Sequence, residues 1–127
     1  MSLKKNTLIL CMLLIATASF SQAFIKKLKT TPASEIALKS TELMNQKLDL
    51  SVEQNDLIYS IYEENWIVKK EILANSSFFS IRGKMKDQNK IQNSAFREVL
   101  TEKQYLLYEE RVFKEIKSSM KTWLENN

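Results

Sequence analysis

The chain has 127 residues, with one Gly, one Pro, one Cys and no His. Sheet-rich and Gly-looped folds need turn residues that are mostly missing, and with His go the usual general base, zinc ligand and pH switch. At 44% hydrophobic and 27% charged, the composition fits one folded domain of long helices and by itself names no activity.

Lys4 and Lys5 form a short positive region, and residues 8–15 (LILCMLLI) form an apolar run. Ser21-Gln22-Ala23 then supplies a small-x-small cleavage pattern, so residues 1–23 read as a secretory signal peptide. Ala16-Thr17-Ala18 is a rival site that leaves almost no spacer, and an N-terminal core helix is the other reading. The apolar run falls far short of the ~20 residues that span a bilayer, so no stable membrane anchor is expected after cleavage. Removing 23 of 127 residues leaves 104; Lys4 and Lys5 leave with the signal and no acid does, so the formal charge falls from +4 to +2. Cys11 leaves as well, so the mature chain has no disulfide and no thiol chemistry. A charge of +2 is no nucleic-acid signature.

Residues 24–31 read as a flexible basic lead-in, and residues 32–127 as a single helical domain. Thr31-Pro32 fits an N-cap followed by Pro at the first helical position, opening a helix from about Pro32 to Leu48. Ser51-Val52-Glu53-Gln54 fits a capping box, in which the Ser hydroxyl accepts from the Gln54 N–H and the Gln54 amide returns to the Ser51 N–H. The helix it opens carries one stripe at Ile58, Ile61, Asn65, Val68 and Ile72, and a second at Tyr59, Tyr62, Trp66 and Leu73. Two apolar faces are more than a thin monomer buries alone. Asn65 either marks helix pairing or sits at the stripe's edge.

Residues 74–86 read as a hinge around Gly83, followed by a helix from about Met85 to Leu100 with Ile91, Ala95 and Val99 facing inward and Phe96 and Leu100 beside them. Asn75-Ser76-Ser77 is formally a glycosylation sequon, of consequence only in a eukaryotic secretory route. Thr101-Glu102-Lys103-Gln104 is a second capping box, with Leu100 and Tyr105 placed as a hydrophobic staple. The last helix runs to about Leu124, roughly 35 Å at 1.5 Å per residue. Its stripe is Tyr105, Tyr108, Val112, Ile116, Met120 and Trp123.

One five-residue phrase thus occurs twice: Leu50-Ser51-Val52-Glu53-Gln54 and Leu100-Thr101-Glu102-Lys103-Gln104, each opening a helix. In an exported, His-free chain of this size, the pair resembles the LTxxQ-motif family of the Spy/CpxP type, over about Leu43 to Trp123. The first copy has Ser where the family has Thr, and Ser caps at least as well. The resemblance implies an all-α fold of about four helices in a thin, curved, dimeric, Spy-like cradle in the periplasm. It also implies an ATP-independent chaperone that holds unfolded or partly folded client proteins on apolar and basic surface, in the setting of envelope stress. Within that resemblance Leu50, Ser51, Gln54, Leu100, Thr101 and Gln104 set the helix junctions.

The residues themselves offer one client-binding candidate. Between Ser76 and Phe96 the cations Arg82, Lys84, Lys86 and Lys90 face only Asp87, beside Phe78, Phe79, Ile81 and Met85. Cations attract an acidic chain at long range, and the apolar groups, Met adaptably, hold its apolar segments. The other reading is a hinge whose Phe residues are core. An enzyme is not expected: there is no Cys–His or Ser–His pair and no Gly-rich phosphate loop, and Glu63-Glu64 and Glu109-Glu110 are neighbours that do not face one another. No catalytic, metal-binding or cofactor-binding residue is singled out, since only oxygen ligands remain. The rival function is an envelope-stress sensor or an accessory regulator of a sensor kinase. A weaker option is peripheral membrane binding through the basic lead-in.

Overall fold

A computed structural model describes residues 23–127, which are almost wholly helical with no strand among them. The signal-peptide reading falls on residues 1–23, all but the last of which lie outside the described residues. Helix α1 takes residues 23–30, followed by α2 (Ala33–Leu48), α3 (Val52–Asn75) and α4 (Phe78–Val99). The last rod is α5 (Glu102–Leu107), a π-helical turn (Tyr108–Val112) and α6 (Phe113–Asn126) without a break. Connections of two or three residues fold α2 back on α3 and α3 back on α4, and the last rod returns along α2.

Several expectations are corrected. The basic lead-in is not loose: α1 buries Leu28 and packs Phe24 and Ile25 against the core. Its C-terminal carbonyls are capped by Lys70 of α3, whose Nζ donates to the oxygens of Leu28 and Lys29, each at 2.9 Å, and Thr31 at 2.6 Å. A cation there also meets the negative end of the helix dipole. Pro32 is itself the cap of α2 and not its first helical residue; its carbonyl accepts from Glu35 and Ile36 and no side chain assists. Nor do residues 74–86 form a hinge. Only Ser76 and Ser77 interrupt the path, and α4 runs straight through Gly83, around which space is open.

The buried faces are rotated from those read in the sequence. On α3 the inner positions are Ile58, Tyr62, Asn65, Lys69 and Leu73, while Val68 is partly exposed. On α4 they are Gln92 and Phe96, and Ile91 faces outward. Polar pairing explains the shift. Asn65 donates to the Ile61 carbonyl at 2.8 Å and accepts from Gln88 of α4, so it joins two helices of the same chain. Around these pairs runs an aromatic chain: Tyr62 meets Phe96 edge-on at 4.9 Å, and Phe96 meets Tyr108 at 5.4 Å. Tyr108 donates to Asn93 Oδ1 at 2.7 Å, and burial pushes the hydroxyls of Tyr62 and Tyr108 well above their ordinary range.

The π-turn has a cause in the spacing. Tyr108, Val112, Ile116, Met120 and Leu124 are all buried and all four residues apart. On a 3.6-residue helix a strict four-residue repeat drifts by roughly 40° per step. One π-turn takes up an extra residue and brings the stripe back over the core.

Candidate functional site

Both repeated phrases form complete capping boxes. Ser51 Oγ accepts from Gln54 N at 3.1 Å and Gln54 Oε1 accepts from Ser51 N at 3.0 Å; for Thr101 and Gln104 the distances are 3.2 and 2.9 Å. Further, the two boxes hold each other. Gln54 Nε2 donates to Gln104 Oε1 at 2.8 Å, and Gln104 Nε2 donates to Gln54 Oε1 at 3.3 Å. Each amide's second proton goes to the closing carbonyl of the helix before the other box, Val99 for Gln54 and Leu48 for Gln104, both at 3.2 Å. Every donor and acceptor of the amide pair is thereby used, and Leu50 and Leu100 are buried beside it. The spacing revealed two caps; it gave no sign that they meet.

The client-binding candidates lie at the opposite turn and divide into two sets. Phe78 and Phe79 are 84% and 94% exposed and touch each other edge-to-face, with centroids 5.9 Å apart, so they are not part of the core of this chain. Arg82, Lys84, Lys86 and Lys90 are exposed as well. Phe79, Arg82, Lys86 and Lys90 fall at spacings of three, four and four along α4 and share one outward face. Lys84 points away and donates to Ser76 Oγ at 3.1 Å. Ile81 and Met85 turn inward: Ile81 packs against the core and Met85 lines a cleft.

That cleft has no counterpart in the sequence reading. It lies between α1, α2, α3, α4 and α6, holds about 170 Å³, and has Tyr62, Trp66, Phe113, Ile116 and Met120 among its walls. Lys69, only 5% exposed, lines it; its Nζ sits 4.7 Å from the Trp66 ring centre and donates to Gln92 Oε1 at 3.2 Å. Burial, helped by the like charge of Lys117, lowers the Lys69 ammonium to about 8. The available signal was the register of α3, since Lys69 continues the stripe of Ile58, Tyr62 and Asn65.

Among the described residues no three His, Cys, Asp or Glu side chains gather as a metal site, and no helix is long and apolar enough to cross a membrane. Comparison with protein-family models, curated proteins and solved structures finds no match to this chain.

Proposed function

We propose that the protein is an exported, periplasmic, ATP-independent holdase. The observation that carries this reading is the pair Phe78 and Phe79, exposed side by side next to an outward face bearing Arg82, Lys86 and Lys90. Two bare phenyl rings in water are unfavourable unless something covers them, since burial of an apolar side chain of this size is worth roughly 1.5–3 kcal/mol. Unfolded chains supply such cover: their apolar segments meet the rings and their acidic residues meet the cations. The doubled LTxxQ-type phrase, with its likeness to the Spy/CpxP family, supports the same reading, and that likeness also suggests a homodimeric, cradle-shaped assembly.

The test is suppression of aggregation of a chemically denatured protein, without ATP, at low and high salt. Suppression near one dimer per client, weakened by salt, is the expected result. Replacing Phe78 and Phe79 together by Ser is expected to weaken suppression severalfold while shifting stability by less than about 0.5 kcal/mol, because exposed positions contribute little to the folded state. A folded protein that fails to suppress at severalfold excess transfers the proposal to an envelope-stress regulator that binds a sensor kinase.

A further inference from the structure

The Lys69 cleft invites a ligand of quite different chemistry from an unfolded chain. Its walls are aromatic and aliphatic, and the charged side chains lining it are Lys69 of α3 and Lys117 of α6. Among the described residues that line it, on α1, α2, α3, α4 and α6, there is no carboxylate. A buried ammonium is normally matched by an acid, and here Lys69 donates instead to the neutral Gln92 amide oxygen. That bond uses one of three N–H donors and leaves two for a ligand. One buried ammonium, set in apolar walls beside the solvent-exposed Lys117 and with no carboxylate among the described residues lining the cleft, is half of a complementary pair.

We propose that this cleft binds a small amphipathic anion, a carboxylate carrying an apolar tail or ring, with the Lys69 ammonium meeting the carboxylate and the aromatic walls enclosing the tail. A volume of about 170 Å³ is close to the roughly 150 Å³ cavity that accommodates a benzene ring, so the enclosed portion is on the order of six carbons. Bringing a negative charge to Lys69 offsets the like-charge repulsion from Lys117 and favours the ammonium form, so binding and protonation reinforce each other. This site stands apart from Phe78 and Phe79 and does not depend on client holding.

Sodium octanoate is a suitable probe, followed by calorimetry and by tryptophan fluorescence, since Trp66 lines the cleft. Saturable binding of one octanoate per chain is expected, at least tenfold tighter than octan-1-ol, which has the tail without the charge. Lys69→Met keeps the apolar stem and is expected to weaken octanoate binding at least tenfold while leaving octanol binding in place. With the free ammonium titrating at about 8, affinity should fall about tenfold from pH 7 to pH 9, because octanoate stays ionised throughout while the ammonium is lost. Equal affinity for octanoate and octanol, undiminished binding to Lys69→Met, or no binding at millimolar octanoate each overturns the proposal. So does binding that disappears in the Phe78→Ser, Phe79→Ser double variant, which would place octanoate on the exposed patch.

Discussion

The two ends of the α3–α4 hairpin are built on opposite terms. Where α3 begins and α4 ends, each hydroxyl cap is followed at the third position by Gln, and the two Gln amides close on each other with no donor or acceptor left over. Where α3 turns into α4, the cap is again a hydroxyl, Ser77, but the third position is Ser80; the Ser77 side chain caps no backbone N–H, and Ser80 Oγ donates to the Ser77 carbonyl at 3.1 Å. The two serine hydroxyls hydrogen-bond each other instead, at 3.0 Å. The apolar neighbours follow the same division: Leu50 and Leu100 are buried beside the paired end, whereas Phe78 and Phe79 stand in solvent. One end is closed by its own chemistry, and the other leaves two phenyl rings exposed.

The sharpest way to break this contrast is at the amide pair. Gln104→Ala removes the return bond to Thr101, strips the donor from the Leu48 carbonyl and leaves the Gln54 amide half-satisfied, so a loss of about 2–3 kcal/mol is expected in denaturant unfolding. A loss no larger than that of a simple cap would mean that the two boxes act independently. Of similar size but opposite sign is Lys69→Met. The folded chain holds Lys69 as an ammonium at a penalty, and removing the charge is expected to raise stability by about 2 kcal/mol at pH 7. Because the folded-state value, about 8, lies below the ordinary lysine value, the unfolded chain binds more protons above pH 8, and wild-type stability rises there with pH. The gap between the two proteins should therefore narrow from pH 8 to about pH 10. Tyr62 and Tyr108, whose raised values act in the other direction, are common to both and cancel in the difference. A gap independent of pH would show that Lys69 is matched in solution.

How much of this was legible depends on which interactions are local in the chain. Ser51–Gln54 and Thr101–Gln104 are three residues apart, so their boxes and the helix starts at Val52 and Glu102 follow from spacing alone. The Gln54–Gln104 bond joins positions fifty apart, and a capping box looks the same whether or not its Gln has a second partner. Apolar periodicity misplaced the inner faces for a related reason. It counts Val68 and Ile91 as core and Lys69 and Gln92 as surface, while the fold buries that polar pair, joined by one hydrogen bond. A lone glycine points to a hinge at Gly83, but the helix runs from Phe78 through Gly83 to Val99 without a break. The exposure of Phe78 and Phe79 is one of two readings the sequence leaves open, and only the placement of α4 separates them.

A single cap tests the closed end on its own. Thr101→Ala is expected to lower stability by about 1 kcal/mol, less than Gln104→Ala because the amide pair survives, and an unchanged denaturant midpoint would deny the cap its role.

The smallest effect concerns the open end. Gly83 lies inside α4 without a positive φ, and a Cβ added there would meet no neighbouring side chain or helix within 4 Å. Gly83→Ala should therefore raise stability by about 0.5–1 kcal/mol, through the backbone freedom it removes from the unfolded chain. It leaves Phe78, Phe79 and the cationic face of α4 untouched, so suppression of client aggregation should be unchanged. Those two readouts separate a rigid helix from a flexing segment. If the chain at Gly83 must bend to receive a client, alanine would strengthen the fold and weaken holding together, and the patch would have to be understood as mobile instead of preformed.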